Sequence, residues 1–281
     1  KNIRVCKKDI LQFQPTALIL IDYPGFNLRI AKWAKEQNLK IIYYISPQVW
    51  AWKENRVKLI KECVDKMLVI LPFEKDFYKR WDYEVEYVGH PLVEVVDDFI
   101  NTSPNMKDVE QGNKNTIALL PGSRQQEILK KLPIMLQATK HFPGYKFVVA
   151  KAPGLDDSFY AELLAPYKNV SAVANKTYGL LVQSKAALVT SGTATLETAL
   201  FGVPEIKFIG LVNLIMDKEV VKELIQDELT VDNLKHELGL LLNDENKQQQ
   251  LKEDYDSLKT LLSKGGHASA NAAQSIYTYL T

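Results

Sequence analysis

The sequence predicts an α/β protein that consists of two doubly wound domains with helices at the C-terminal end. Three observations support this prediction. Short apolar runs alternate with amphipathic stretches along almost the whole chain. The apolar runs are continuous, which is typical of parallel strands that helices cover on both faces. The alternation stops once, at the polar stretch 98–115, and then resumes.

The first half of the chain contains four predicted strands, of which Ala17–Ile21 is expected to be buried. The other strands are expected at Lys40–Ile45, Lys66–Leu71 and Val85–Val88. The helices between them are expected at Asn27–Glu36, Glu54–Val64 and Glu74–Trp81. We therefore assign residues 1–97 to a first domain. Residues 98–115 contain Pro104 and Gly112 and have no periodicity, so they are predicted to form an interdomain linker.

The second half repeats the alternation of strands and helices. Its strands are expected at Thr116–Leu120, Lys146–Ala150 and Ala186–Thr190. Its helices are expected at Arg124–His141 and Thr193–Phe201, and the sequence beyond Asn213 is nearly all helical. These features predict a second domain at 116–264. A C-terminal helix at 265–281 follows, and it could pack back on the first domain.

Composition narrows the class of protein. A chain of 281 residues exceeds the usual size of one domain, and its 46% hydrophobic and 25% charged residues are ordinary for a globular protein. The net charge of +1 gives no reason to expect nucleic-acid binding. No apolar run approaches the ~18 residues of a membrane-spanning helix. We also recognise no signal peptide before the first strand.

The cysteines and histidines are scattered along the chain. Cys6 and Cys63 are the only cysteines, and the four histidines show no metal-ligand spacing. Two distant thiols in a chain of this length fit a reducing, cytoplasmic compartment better than a secreted protein. The sequence therefore predicts a cytoplasmic protein without a metal site.

One strand-to-helix junction of the second half has the residues of an anion site. Gly122, Ser123 and Arg124 directly follow the predicted strand Thr116–Leu120. Glycine lets the backbone approach an anion, serine caps the helix, and arginine binds two phosphate oxygens at once. A routine turn with a helix cap is the alternative, and for this motif alone it is the more frequent one.

A second junction follows the predicted strand Ala186–Thr190. It supplies backbone N–H groups, hydroxyls and a helix N-terminus from Ser191, Gly192, Thr193 and Thr195. Glu197 follows one helical turn later, where it could accept hydrogen bonds from ribose hydroxyls or simply favour the helix dipole. Two such junctions in one domain favour a diphosphate site. Neither matches the Walker or the dinucleotide fingerprint, so a nucleoside diphosphate without hydride transfer fits better.

The first half offers a candidate base and a candidate apolar surface. Asp22 directly follows a strand, where a general base would reach the cleft between domains; stabilisation of the turn before Pro24 is the alternative. Trp50, Trp52 and Lys53 lie in the next strand-to-helix loop. They could form a surface that faces acyl chains or a membrane, or the tryptophans could fill the domain core.

Several long motifs in one order closely resemble the lipid-A-disaccharide synthases of Gram-negative bacteria. In the first half these are IDYPGFN, YYISPQVWAWKENR, VDKMLVILPFE and VGHPL. In the second half they are LLPGSRQQEI, TSGTATLETALFGVP and LVNLIMDKEVVKELIQ. The resemblance covers about Pro15 to Gln226 and continues more loosely to the end.

The resemblance implies an inverting glycosyltransferase with two Rossmann-like domains, the GT-B fold. That family transfers 2,3-diacylglucosamine from its UDP derivative to the 6-hydroxyl of 2,3-diacylglucosamine 1-phosphate, without an obligatory cofactor. Position by position, it makes Asp22 the base and Arg124 the diphosphate clamp. It assigns UDP binding to Ser191, Gly192, Thr193, Thr195, Glu197 and Asn213. Gln48 and His90 match family motifs that face the cleft.

The resemblance also implies partners and a location. Both substrates, UDP-diacylglucosamine and diacylglucosamine 1-phosphate, carry acyl chains, so a peripheral protein at the inner face of the inner membrane is expected. A homodimer is left open. Two other functions are left open as well. One is a different UDP-sugar enzyme of this fold, such as an N-acetylglucosamine transferase or an epimerase. The other is a nucleotide-sugar-binding module that has lost catalysis.

The sequence departs from the family in two places. The family has a Gly-rich loop and about two further strand–helix units before the IDYPGFN motif, where about twenty residues stand here. A longer segment with a helix also separates the family's GVP and LVN motifs, which nearly touch here, near residues 205–210. We therefore expect that both segments are deleted, or that the sequence joins stretches across them.

Overall fold

A computed structural model describes residues 2–52, 54–103, 115–263 and 265–281, without the side chains of Trp52, Ser191, Phe208 and Ile209. The chain divides into two compact units. Unit 1 comprises residues 1–94 together with 261–281, and unit 2 comprises Val95–Thr260. The chain thus leaves unit 1 once and returns to it at its C-terminal end.

Unit 1 contains a parallel four-stranded sheet with the order β1-β2-β3-β4. Its strands are β1 (Ala17–Ile21), β2 (Lys40–Tyr44), β3 (Lys66–Val69) and β4 (Glu86–Tyr87). The helices of this part are α1 (Asn2–Phe13), α2 (Pro24–Glu36), α3 (Val49–Trp52), α4 (Arg56–Cys63), α5 (Glu74–Lys79) and α6 (Pro91–Thr102). The boundary between the units falls within α6.

Unit 2 contains a parallel five-stranded sheet with the order β7-β6-β5-β8-β9. Its strands are β5 (Thr116–Leu120), β6 (Lys146–Lys151), β7 (Val170–Ala174), β8 (Ser184–Ser191) and β9 (Glu205–Ile209). The helices are α7 (Gln125–Thr139), α8 (Asp157–Leu164), α9 (Thr177–Gln183), α10 (Thr193–Leu200), α11 (Leu211–Met216), α12 (Val231–Asn243) and α13 (Glu245–Ser263). The last helix, α14 (Ala268–Leu280), belongs to unit 1.

The core of unit 1 lies on both faces of its sheet. Ile41 and Tyr43 of β2 are fully buried in the larger cluster, which includes residues of α2, α4 and α5. Ile42, between them in sequence, points to the opposite face and packs in a cluster with Ala272 of α14. Since successive side chains of a strand face opposite sides, this double burial explains why β2 is continuously apolar.

Two predictions about elements are wrong. Residues 98–102 of the predicted linker form the end of α6, where Phe99 packs edge-on against Tyr178 and Phe201. The rest of that stretch, from 104 to 114, lies outside the described residues. The strand Ala17–Ile21 exists with the predicted bounds, but Ile19 and Ile21 are about half exposed. Among the described residues β1 pairs only with β2, so one of its edges has no strand partner there.

Candidate functional site

The site of unit 2 follows from the order of its strands. From β5 the chain runs to β6 and β7 on one side of the sheet and then returns to place β8 and β9 on the other side. The carboxyl ends of β5 and β8 are therefore neighbours at the point where the strand order reverses. Open parallel sheets bind ligands at this switch point, because the loops on either side diverge and leave a crevice.

A cavity of about 380 Å³ lies beyond these strand ends. Its lining comes from the loops after β5, β6 and β8 and from the first turns of α7, α9 and α10. Six of the predicted site residues line it, namely Gly122, Ser123, Arg124, Gly192, Thr193 and Glu197. The structure thus brings together the two junctions that the sequence singled out.

The loop after β5 needs glycine at position 122. Gly122 has φ +107°, and a Cβ there would lie 2.9 Å from Glu127 Oε2 and 3.2 Å from Thr190 Oγ1. A side chain would therefore be strained and would clash with the cavity wall. Arg124, two residues later, is 80% exposed, and its Nη1 lies 2.9 Å from Glu127 Oε1. The guanidinium is held beside the cavity by a carboxylate of the same helix.

The loop after β8 is shaped by Gly192 and Thr195. Gly192 has φ +79° and directly precedes α10. Thr195 is fully buried and does not line the cavity; its Oγ1 donates a hydrogen bond of 2.9 Å to the carbonyl of Gly192. Thr195 therefore holds the loop, and Thr193 is the hydroxyl that reaches the cavity. The side chain of Ser191 lies outside the described part of the chain.

Glu197 lines the cavity and has a partner that the sequence did not indicate. The hydroxyl of Tyr178 donates a hydrogen bond of 2.7 Å to Glu197 Oε1. Burial, and the negative charge of Glu197, raise the pKa of Tyr178, so this hydroxyl stays protonated and remains a donor. The bond fixes the orientation of the carboxylate at the cavity wall.

Other residues of the cavity wall include Lys151 and Thr177, which the sequence did not indicate, and Thr190, the last residue of the predicted strand before the second junction. Lys151 is the last residue of β6, and its Nζ lies 2.6 Å from Asp157 Oδ1. A signal existed, because the strand before it was predicted and ligands bind at the carboxyl ends of such strands. The loop after β6 also contains a glycine with positive φ, Gly154 at +85°, but it lies three residues beyond Lys151.

The side-chain amide of Asn213 forms hydrogen bonds with other residues of unit 2. Its Nδ2 donates to the carbonyl of Val221 and to Glu223 Oε1, both at 2.9 Å. Its Oδ1 accepts from the N–H groups of Val220 and Val221, at 2.9 and 3.0 Å. These four bonds fill the capacity of an amide side chain. In this structure Asn213 fastens the 220–223 segment to α11, and it does not line the cavity.

Asp22 lies in unit 1, at the carboxyl end of β1. The hydroxyl of Tyr43 donates a 2.5 Å hydrogen bond to its carbonyl, and Asn27 Nδ2 donates to the same carbonyl at 2.8 Å. Asp22 and Tyr23 both have φ 45°, a left-handed conformation that is unusual for two successive residues with side chains. The backbone is thus held in a strained turn while the Asp22 side chain is exposed, an arrangement frequent at functional sites.

Gln48 and His90 differ in exposure. Gln48 is exposed in the loop between β2 and α3. His90 is buried, and its Nδ1 accepts a 3.2 Å hydrogen bond from the N–H of Leu92 at the start of α6. Burial lowers the pKa of His90 to about 4, so the ring is neutral at pH 7. The observed contact of His90 is that of a helix cap.

Trp50 packs on the core of unit 1. Its ring stands edge-on to Phe73, with 5.1 Å between the ring centroids, and its Nε1 is buried without a hydrogen-bond partner. This packing favours the interpretation in which Trp50 fills the core, because a membrane-facing ring would be exposed. The side chain of Trp52 and all of Lys53 lie outside the described residues.

Comparison with known proteins identifies the family of the chain. The sequence model of lipid-A-disaccharide synthetases matches residues 1–207 and 205–277. The chain belongs to the lipid-A-disaccharide synthase family. It is 36% identical to the lipid-A-disaccharide synthase of Trichlorobacter lovleyi over 92% of this chain and 74% of that protein. It is 35% identical to the synthase of Syntrophus aciditrophicus over 96% of this chain and 77% of that protein.

Solved structures with the same fold include sugar-nucleotide enzymes. UDP-GlcNAc 2-epimerase from Neisseria meningitidis, bound to UDP-GlcNAc, has a TM-score of 0.72 at 14% identity and covers 99% of this chain and 80% of its own. MnaA of S. aureus, in a structure with UDP, has a TM-score of 0.73 at 14% identity over the same shares of the two chains. Identities this low indicate a common fold, and they confirm the prediction of Rossmann-like domains of the GT-B type.

The family match is broken at residues 205–207, where its two stretches overlap. At this place the GVP and LVN motifs nearly touch, where the family is expected to have a longer segment. The strand at this place, β9, is unusual because it buries two charged residues, Glu205 and Lys207. Burial raises the pKa of Glu205 and lowers that of Lys207, whose Nζ lies 3.3 Å from Glu223 Oε1 without hydrogen-bond geometry. Burial of charged side chains is costly, so β9 differs in this respect from β8, the strand that it pairs with.

Proposed function

We propose that this member of the synthase family transfers 2,3-diacylglucosamine from UDP-2,3-diacylglucosamine to the 6-hydroxyl of 2,3-diacylglucosamine 1-phosphate. The products are the β(1→6)-linked disaccharide 1-phosphate and UDP. Family membership over nearly the whole chain carries the proposal. The cavity at the switch point of unit 2 supports it, because two glycine-containing loops and an arginine there suit a diphosphate.

Arg124 would stabilise the leaving UDP in this reaction. As the bond between the anomeric carbon and the diphosphate oxygen breaks, negative charge accumulates on the diphosphate, and a guanidinium beside it lowers the barrier. The present partner of Arg124 is Glu127, and the guanidinium is largely exposed. An exposed ion pair of this kind contributes ~0–1 kcal/mol, so a diphosphate can replace the carboxylate at little cost.

Asp22 would act as the general base. Its carboxylate takes the proton of the acceptor hydroxyl while the oxygen of that hydroxyl forms the new bond to the anomeric carbon. The displaced electron pair leaves with UDP, so one displacement inverts the anomeric configuration. The exposed side chain on a held backbone supports this role, because it presents a carboxylate at a strand end without burying it.

Release of UDP tests the proposed reaction. The purified chain is given UDP-diacylglucosamine with and without diacylglucosamine 1-phosphate, and UDP and the lipid products are measured by mass. Release that requires the acceptor, together with a disaccharide phosphate, is the expected result. Binding of UDP without any turnover would instead leave a nucleotide-binding module and would reject the synthase activity for this chain.

Replacement of Asp22 tests the base. Asp22→Asn is expected to lower turnover by roughly 10²–10⁴-fold, because the amide cannot accept the proton, while UDP affinity stays unchanged. Asp82→Asn is the matched control, since Asp82 is another exposed aspartate of unit 1 with a left-handed backbone, φ 50°. Loss of turnover and UDP affinity together, or equal effects of both variants, would give Asp22 a structural role instead.

We also propose that the protein works at the inner face of the inner membrane, since both substrates of the proposed reaction carry acyl chains. No described helix combines the length and apolar character that crossing a bilayer requires. Sedimentation with anionic and with neutral vesicles measures the association, and binding to anionic vesicles is expected. Retention in the supernatant with both would reject the proposal. Equal binding by a Trp50→Ala/Trp52→Ala variant would dismiss those residues as the anchor.

The homodimer stays a prediction that the mass of the protein in solution decides.

A further inference from the structure

Within the described part of the chain, the formal charges that line the cavity of unit 2 cancel, because two cations and two anions contribute to its wall. Among the described lining residues, the charged side chains are Arg124, Lys151, Glu127 and Glu197. Glu127 is paired with Arg124, and Glu197 accepts a hydrogen bond from a neutral tyrosine. With Arg124 as the single cation, the wall would carry one positive and two negative charges. A wall with a net negative charge would repel a diphosphate, and Lys151 removes that repulsion because it brings the formal total to zero.

Lys151 is also in the right place for an anion. It ends β6, which pairs directly with β5, so the loop that starts at Lys151 stands beside the loop of Gly122 and Arg124. Its side chain is 15% exposed and lines the cavity. Partial burial lowers the screening of its charge by water, and an ammonium in such a place interacts more strongly with an anion than one at an open surface.

The present partner of Lys151 leaves it available. Nζ lies 2.6 Å from Asp157 Oδ1, but the Asp157 side chain is 88% exposed. Water solvates that carboxylate well when the pair separates, so exchange of partners costs little. Alternatively, Lys151 has a structural role only, in which its ion pair with Asp157 joins the first turn of α8 to the end of β6. The two roles predict different effects of a substitution of Asp157 on ligand affinity.

We propose that Lys151 binds the diphosphate of the nucleotide sugar as a second cation beside Arg124. This inference rests on the proposed function, because it names a further binding residue of the same site. Arg124 approaches from the loop between β5 and α7, and Lys151 from the end of β6. The phosphates would therefore be held from two neighbouring loops, and the formal net charge of the wall would be zero instead of negative.

Titration with UDP and with uridine tests this proposal. Lys151→Met is expected to weaken UDP binding by roughly ten- to a hundredfold, the range for loss of a hydrogen bond to a charged group. Uridine, which has no phosphate, should bind Lys151→Met and the wild type equally. Lys146→Met is the matched control, because Lys146 begins the same strand at its opposite end and is exposed. It changes the net charge equally but should leave UDP affinity unchanged.

Two further variants separate contact from structure. Lys151→Arg keeps the charge and should recover most of the UDP affinity that Lys151→Met loses. Asp157→Asn removes the ion pair and should bind UDP within about threefold of the wild type, because an exposed pair contributes little.

Four outcomes would contradict either the inference or the proposed function. Equal UDP affinity of the wild type and Lys151→Met would overturn the inference, and so would equal losses in Lys151→Met and Lys146→Met. A loss in Asp157→Asn as large as in Lys151→Met would assign Lys151 to the support of α8 instead. Failure of the wild type to bind UDP would reject the proposed function itself and is seen before any variant is compared.

Discussion

At the scale of single residues, Glu74 shows how a buried acid connects loops of unit 1. It begins α5 and is almost fully buried, and its Oε2 accepts a 3.0 Å hydrogen bond from the N–H of Leu71, just beyond β3. Burial raises the pKa of Glu74 to about 7, and the bond from Leu71 works in the opposite direction. Nearby, Ser46 and Tyr78 share a 2.7 Å hydrogen bond between their hydroxyls. The carboxyl group is thus part of the buried support under the loop that carries Gln48.

The raised pKa predicts a dependence of stability on pH. Between the unfolded pKa of 4.5 and the folded pKa of about 7, the native state holds a proton that the unfolded state has lost. Stability from this group therefore falls as pH rises through that interval, by up to ~3 kcal/mol, and is constant above it. Glu74→Gln cannot titrate, so the unfolding free energy of this variant minus that of the wild type should increase from pH 4.5 to pH 7.

Tryptophan fluorescence during urea unfolding measures this difference for unit 1 alone. All four tryptophans, at positions 33, 50, 52 and 81, lie in unit 1. His90 titrates with the opposite sign, because its pKa is lowered, but it is present in both proteins and cancels. A difference that stays constant across the interval would contradict the prediction.

The sequence predicted the residues of the site whose chemistry is local. Gly122 and Gly192 were recognisable because a left-handed backbone before a helix favours glycine, and Arg124 because it follows such a turn. Lys151 was not predicted. Its loop also contains a glycine with positive φ, Gly154, but only the pairing of β6 with β5 shows that this loop reaches the cavity. The internal bonds of Asn213 join it to residues seven to ten positions later, and no sequence motif marks them.

At the scale of elements, α14 completes unit 1. Ala272 is buried in a cluster with Ile42, Leu68 and Val88, which belong to the sheet face opposite the larger core. Tyr87 of β4 also holds the C-terminal segment, since its hydroxyl donates a 3.2 Å hydrogen bond to the carbonyl of Leu262. The C-terminal helix therefore replaces one layer of a doubly wound unit and is not an appendage.

A charge in this contact should loosen unit 1. Ala272→Asp is expected to lower the unfolding free energy measured by tryptophan fluorescence by roughly 3 kcal/mol or more, because it buries an unpaired carboxylate. Ala273→Asp is the control, since Ala273 is the next residue of the same helix and is exposed. Binding of UDP, proposed for unit 2, should survive in both variants. Equal stability of the two would show that α14 does not hold this face.

Elements were predictable where a single signal dominated. β1 and β5 have the predicted bounds, since apolar runs flanked by polar residues mark both. The helix α6 was partly mistaken for a linker, because its apolar side chains pack on residues about 80 and 100 positions away, such as Tyr178 and Phe201. β7 and α9 were not predicted, and β7 is only partly buried at the edge of its sheet. Short, half-exposed elements carry a weak apolar pattern.

At the scale of the whole molecule, the chain forms two parallel sheets and crosses between the units twice. The crossings fall within α6 and α13, so helices rather than a loop carry the chain over both boundaries. The two-domain prediction depended on the repeat of the strand–helix alternation. The point of return, at residue 261, left no mark in composition, because α13 is one amphipathic helix throughout.

The sequence by itself determined the α/β class, the two domains, the family and the two glycine loops of the site, because these depend on signals within a few residues or on motifs in a fixed order. Only the tertiary structure decided the strand order β7-β6-β5-β8-β9, and with it the switch point at which the loops meet. It also decided which polar side chains form internal hydrogen bonds and which line the cavity. Strand order and burial are set by packing between residues far apart in the chain, and a local pattern carries no record of that packing.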